Sequence, residues 1–319
     1  FVIVPGDAGR VTYLDSHFVP KLETRPEPRA APEAQPRRDA PRDNDAPAAA
    51  ATAAPLAPRS GWLDGHGPSP GDLARVPELL NAGPDVERPS WWPTDSSGYP
   101  VRQRDLDALG ITQDQMKALV AREAPLGMTR AEYQRFRSEL VAALERDGLN
   151  RNDFDIRLLG SAARFFSGPR KQLPSLEDPN LSADSRRFLA DWLSRGNGHT
   201  KPRERPFDSG LNLDPESAPS DYDLNISSTK MVDIARSRWP SDRYQGDFMG
   251  GHGYVDQGII NEAFPVLEDW KKRWEARMQR EVSIGLFESS GPFNEEKMGR
   301  PISVHMRDTD WVIHRPEGR

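Results

Sequence analysis

Phe154-Asp155-Ile156-Arg157-Leu158-Leu159-Gly160-Ser161 and Ser220-Asp221-Tyr222-Asp223-Leu224-Asn225-Ile226 are the two stretches whose reading decides the fold. The first is a strand-like apolar run that delivers Gly160-Ser161 at its end. The second alternates: Asp221 and Asp223 stand two apart, and apolar Leu224 and Ile226 follow. In an extended strand, residues two apart project to one face, so the two carboxylates lie together, roughly 6–7 Å apart at the backbone. Carboxylates that close repel each other unless something cationic stands between them. A hard divalent ion such as Mg²⁺ takes oxygen ligands and suits the pair.

Helices surround these strands. Thr112-x-x-Gln115 is a capping box ahead of Met116, Leu119 and Val120, with Pro125 as the expected stop. Thr129-x-x-Glu132 is a second box, ahead of Tyr133, Phe136, Leu140 and Leu144, with Gly148 closing that helix. Residues 162–220 separate Ser161 from Asp221, and within them Ser182 to Arg195 reads as an amphipathic helix carrying Phe188, Leu189, Trp192 and Leu193. Met231, Val232, Ile234 and Ala235 mark a helix after the Asp pair. Val266, Leu267, Trp270, Trp274 and Met278 mark a long one, whose stripe is expected to pack in the core. Ile302, Val304 and Met306 alternate in a closing strand that runs into Asp308-Thr309-Asp310-Trp311-Val312-Ile313.

Composition narrows the classes. The chain has 319 residues, a net charge of −6 and mean hydropathy of −0.74, with no cysteine. No disulfide or Cys-based metal site can form. No apolar run is long enough to span a bilayer, so no membrane partner is expected. The acidic balance argues against a protein that wraps long nucleic acids and leaves room for a local basic patch. The chain opens at Phe1, which reads as a piece of a longer polypeptide. Residues 1–21 look like the tail of a preceding module. Residues 22–59 are Pro/Ala-rich and nearly devoid of large apolar groups, the composition of a disordered linker. Residues 60–128 form a small Trp/Pro-containing and helical segment, and residues 129–319 the main domain, with an insertion over 172–210. The expected class is α/β (α+β), a mixed sheet flanked by helices behind a disordered N-terminal linker.

Gly-Ser after an apolar strand, then Asp221-x-Asp223 on the next strand, then an acidic residue on a later one, resembles the nucleotidyltransferase superfamily with the DNA-polymerase-β-like fold. Pro206-Phe207-Asp208 ahead of Ser220-Asp221 also looks like variants at the C-terminal tips of bacterial polymorphic toxins. The resemblance spans residues 129–319. It implies transfer of a nucleoside monophosphate from an NTP to an acceptor, RNA, protein or small molecule, with Mg²⁺ (or Mn²⁺) as the cofactor. Gly160 and Ser161 would cradle the phosphates, and Asp221 and Asp223 would hold the metal. Asp308 or Asp310 would be the third carboxylate, and Asp310 is favoured because apolar residues follow it. Arg164 and Lys230 are the candidate phosphate contacts. Arg170 and Lys171, like Arg164, follow the Gly-Ser and could meet phosphate, with ordinary surface charge the favoured reading of all three. A toxin tip would be secreted, act in the cytoplasm of another cell and be countered by an immunity protein; otherwise the chain is cytoplasmic. Two departures stand out: the insertion between Ser161 and Asp221, and the distance to the third acid. Two rival classes remain, a metal-dependent glycosyltransferase, which also uses D-x-D, and an inert interaction module.

Overall fold

Side-chain caps set most of the helices. A computed structural model of the chain describes residues 62, 67–83, 86–195, 201–214, 216–239, 254–288 and 310–317. The segments 1–21 and 22–59 and the strand expected over 302–306 lie outside the described residues. Among the described residues, four short helices come first, α1 (Pro70–Ala74), α2 (Val76–Asn81), α3 (Gln103–Leu109) and α4 (Gln113–Val120). The long α5 (Arg130–Arg146) leads into β1 (Asp155–Leu159), followed by α6 (Ser161–Arg164), α7 (Ala183–Ser194) and α8 (Ser209–Leu213). Then come β2 (Tyr222–Ser227), α9 (Thr229–Arg238), α10 (Gln257–Ala263), α11 (Pro265–Met278), β3 (Val282–Phe287) and β4 (Trp311–His314).

Both predicted capping boxes form, at Thr112 and at Thr129, where the threonine oxygen accepts from the backbone three residues on and the glutamine or glutamate reaches back. Ser182 and Ser228 cap α7 and α9 in the first of these ways. One boundary differs from expectation. α4 ends at Val120, ahead of Pro125, because the chain turns at Arg122, whose φ is 54°.

The sheet has the order β3-β2-β1-β4. β1 runs antiparallel to both β2 and β4, while β2 and β3 are parallel and are joined through α9, α10 and α11. A parallel pair needs such a crossover. β3 is an addition to the strands expected from the sequence. Its run Val282-Ser283-Ile284-Gly285-Leu286-Phe287 alternates, with Val282, Ile284 and Leu286 buried on one face and the small Ser283 and Gly285 on the other.

Burial follows the alternation. Tyr222, Leu224 and Ile226 are buried, while Asp221, Asp223 and Asn225 are half-buried on the opposite face. α5 and α11 cover the apolar face. Phe136 is the hub, 6.2 Å from Tyr222, 4.8 Å from Trp270 and 5.2 Å from Trp274 between ring centroids. The Trp270/Trp274 stripe is therefore core, as its spacing implied. One continuous apolar cluster runs from Val76 to Ile313, so residues of the 60–128 segment share a core with the sheet.

The insertion over 172–210 is anchored at two places. Its α7 brings Trp192 against α3, where the indole N–H donates to Asp105 Oδ1 at 2.9 Å. Asp105 is fully buried and also accepts from the Tyr99 hydroxyl and the Arg102 amide. At its base the insertion closes on itself as an antiparallel ribbon, with bridges Phe166↔Pro206 and Gln172↔Glu204.

Candidate functional site

Strand register brings the Gly-Ser and the Asp pair to one place. Leu159 lies opposite Asp223 in the β1–β2 ladder, so Gly160 leaves the sheet beside that carboxylate. Gly160 has φ 76° and ψ −172°, a conformation that belongs almost only to glycine. A Cβ added there would lie 2.5 Å from Asp223 Oδ2. Both the turn and the close approach therefore demand glycine. Ser161 follows as the first residue of α6 and is buried. The turn ends at Phe165, a buried residue with φ 73° and ψ −44°, a strained conformation for a side chain of that size.

Gly160→Ala is expected to push the Asp223 carboxylate aside. Stability should fall by about 1–3 kcal/mol in urea denaturation. Any transfer activity should fall about 10²-fold, the usual cost of misplacing a reacting group by an ångström. Wild-type activity in this variant would show that the contact is incidental.

Asp223 is electrostatically unusual. Burial, then the charge of Asp221, pushes its carboxyl up to about 6. Lys171 and Arg164 pull it the other way, and Glu281 adds a smaller push. Among the described residues, Asp221, Lys171, Arg164 and Glu281 are the charges that act on it. Asp221 stands just before β2 and is positioned by its neighbour Ser220. The Ser220 amide donates to Asp208 Oδ1, the Ser220 hydroxyl accepts from the Asp208 amide, and Arg280 donates to the Ser220 carbonyl at 3.1 Å. Arg280 also grips Asp208 with two bonds, 2.7 and 2.6 Å. This fork geometry gives directional strength. The Pro206-Phe207-Asp208 motif thus has a visible structural role, because Asp208 holds the residue that precedes Asp221.

Glu281 lies one step before β3. Because Tyr222 pairs with Val282 in parallel register, Glu281 stands beside Asp221. No local pattern marks it, since its place depends on the long-range parallel pairing of β2 with β3. Lys171 reads in the sequence first as a surface charge, and only the ribbon's fold carries it to where it acts on Asp223.

The remaining predicted residues fall as follows. Arg164, at the end of α6, is exposed and acts on Asp223. Lys230 is exposed in the first turn of α9, beyond the opposite end of β2. Four strand residues, roughly 13 Å, separate Asp223 from Ser227, so the fold does not bring Lys230 to the pair. Asp310 is buried just ahead of β4. Its carbonyl accepts from Arg122 Nη1, and its charge acts on that guanidinium. Trp311 pairs with Leu158, which puts Asp310 at the same sheet end as Asp223 but with β1 between them. Two strand spacings amount to about 10 Å. Asp308 lies outside the described residues. Among the described residues, no three His, Asp or Glu side chains converge at metal-holding distance.

Among the described residues, no helix is long and apolar enough to cross a membrane. Compared with known proteins, the chain finds no matching family model, no matching curated protein and no matching solved structure. Its functional reading therefore rests on the geometry of Gly160, Asp221 and Asp223.

Proposed function

We propose that the chain is a nucleotidyltransferase that moves a nucleoside monophosphate from an NTP to an acceptor hydroxyl. The acceptor hydroxyl gives up its proton to solvent, its oxygen bonds to the α-phosphorus, the bond from that phosphorus to the α,β-bridging oxygen breaks, and pyrophosphate leaves. The observation that carries this reading is the close approach of Asp223 to Gly160, which unites the phosphate-type turn with the carboxylate pair. The donor set suits Mg²⁺ or Mn²⁺: two carboxylates on one strand face, one of them held near pH 6 by burial and then by the other's charge. Mg²⁺ is commonly held by one or two carboxylates, its remaining positions going to water and substrate phosphates.

Asp221 and Asp223 would hold the ion. Asp310 is the third carboxylate of the family reading, and Glu281 is the acid one strand from the pair. When bound, the ion supplies neutralisation of the charge that builds on the transferring and leaving oxygens. The bare backbone at Gly160 leaves room for a phosphate beside Ser161. Arg164 and Lys171 offset phosphate charge, Arg164 with a fork suited to paired contacts. Asp208 and Arg280 keep Asp221 in position through Ser220, and positioning is most of what a protein contributes to such a transfer. Delivery as a secreted toxin tip, with an immunity protein as partner, extends the same proposal and rests on the resemblance of Pro206-Phe207-Asp208 alone.

The test is to incubate the chain and Mg²⁺ with a cell lysate and α-³²P-labelled NTPs, and in parallel with labelled UDP-sugars. Metal-dependent transfer of nucleotide label is the expected result. Transfer of sugar label alone would make the D-x-D that of a glycosyltransferase, and transfer of neither would favour an inert module.

A further inference from the structure

Six exposed cations cluster at the base of the insertion: Arg164, Arg170, Lys171, Lys201, Arg203 and Arg205. Arg164 stands at the end of α6, and the ribbon's fold arranges the other five. In its second arm, exposure alternates strictly, with Lys201, Arg203 and Arg205 outward and Pro202, Glu204 and Pro206 inward. The first arm is tied to it by Ser167 N–H to the Arg205 carbonyl at 2.9 Å, Arg205 N–H to the Lys171 carbonyl at 2.9 Å, and Leu173 N–H to the Arg203 carbonyl at 2.8 Å. Between Ser167 and Lys171 the chain bulges in a turn closed by Lys171 N–H to the Gly168 carbonyl, which carries Arg170 outward.

Elsewhere the surface pairs many of its cations with carboxylates, as at Arg75–Glu78, Arg130–Glu123, Arg151–Glu145 and Lys272–Glu268. Among the described residues, none of the six ribbon cations has a carboxylate within ion-pair distance. The nearby Glu204 turns inward and accepts from the Ser96 amide. In a chain of net charge −6, this is a concentrated positive stripe, with Glu177 acting on Lys201 from a distance and Asp95 accepting only from the Arg203 backbone amide. It begins at the site, since Lys171 and Arg164 act on Asp223, and it ends at Lys201. From Arg205 to Lys201 it extends roughly 13 Å, about four nucleotides at the rise of one strand of a duplex.

A second feature lies at its far end. A hollow of about 240 Å³ is walled by Leu173, Pro174 and Pro202, with Lys201 and Arg203 also lining it. Flat apolar walls beside cations suit a base and its phosphate. A uniformly acidic peptide, with no flat apolar group to offer, would use the cations and not the hollow.

We propose that this ribbon binds a single nucleic-acid strand, its phosphates along Lys201, Arg203, Arg205 and Lys171 and one base in the hollow. The strand's end then points toward Asp221 and Asp223, and its role as the acceptor rests on the transferase reading above. RNA and DNA share the phosphate chemistry that the ribbon recognises.

The experiment measures anisotropy of fluorescein-labelled U12 RNA, dT12 DNA and a twelve-residue polyglutamate with the full chain, at several salt concentrations. The comparison protein carries Arg170→Gln, Lys201→Gln and Arg203→Gln together. None of these side chains makes a hydrogen bond among the described residues, so the melting temperature should hold. At least one oligonucleotide should bind, with affinity falling at least about tenfold in the triple variant and the log–log salt slope shrinking by about two to three. Absence of binding to either oligonucleotide, binding that the three substitutions leave untouched, or polyglutamate binding as tight as U12 would each overturn the proposal. A second arm separates the two ideas. If the chain binds in this ribbon-dependent way but moves no nucleotide label, the transferase reading fails and the ribbon stands. Label transfer with no ribbon-dependent affinity gives the reverse.

Discussion

Asp223→Asn should abolish nucleotide transfer and at the same time make the metal-free protein more stable at neutral pH. The loss of activity is expected to reach at least about 10²–10³-fold, the scale on which removing one preorganised charge-stabilising group acts. The gain in stability follows from the raised carboxyl. Its ordinary value is 3.8 and the fold holds it near 6, because burial and then the Asp221 charge disfavour ionisation. The folded chain therefore binds the proton more tightly than the unfolded chain between those values. Stability falls as pH rises through that window, and the penalty is fully present above it. An amide at 223 removes the penalty, so the melting temperature in chelator at pH 7.5 should rise relative to wild type, and the dependence between pH 4 and 6 should flatten. Mg²⁺ should raise the melting temperature of the wild type and leave the variant unmoved. A variant that loses activity and also melts lower in chelator would mean that Asp223 is a structural residue. The pH profile of wild-type kcat/KM should rise through about 6, as the metal competes with the Asp223 proton.

The second large effect lies beneath the site. Asp155 and Arg157, two apart on β1, are both buried and joined by two hydrogen bonds, the second at 3.0 Å. They share a strand face with Leu159, next to Gly160. Arg157→Ala leaves Asp155 buried without that partner, and breaking a buried pair from one side costs about 3–5 kcal/mol. Replacing both, as Asp155→Leu with Arg157→Met, should restore much of that stability, because matched apolar groups avoid the desolvation of two charges. Urea denaturation of the two variants checks this. A single variant within about 0.5 kcal/mol of wild type would show that Asp155 is solvated in solution.

What is legible in the sequence, and what is not, separates along the distance over which each feature is specified. The capping boxes at Thr112 and Thr129 and the alternation through Asp221–Ile226 depend on neighbours within a turn or a strand, and the mixed α/β class follows from them. The two runs are legible as strands, but their antiparallel pairing, which sets Leu159 opposite Asp223, has no local signature because the insertion lies between them. The reach of Lys171 to Asp223, the Arg280–Asp208–Ser220 clamp and the placing of Glu281 arise from contacts across many tens of residues, for which no local pattern exists. β3 is locally legible too, because Val282, Ile284 and Leu286 alternate with Ser283 and Gly285; what no local pattern specifies is its parallel pairing with β2. Lys230 reads as close to the Asp pair because it follows the pair closely along the chain. The strand between them carries it to the far end instead.

The Mn²⁺ anomalous diffraction signal from crystals grown with a non-hydrolysable NTP analogue tests the central claim most directly. The account predicts a peak bridging Asp221 and Asp223 at about 2.0–2.2 Å from their oxygens, the contact range of a small hard divalent ion. The triphosphate should lie against Gly160 and Ser161. A manganese peak held by other residues, or a nucleotide bound away from that turn, would contradict it.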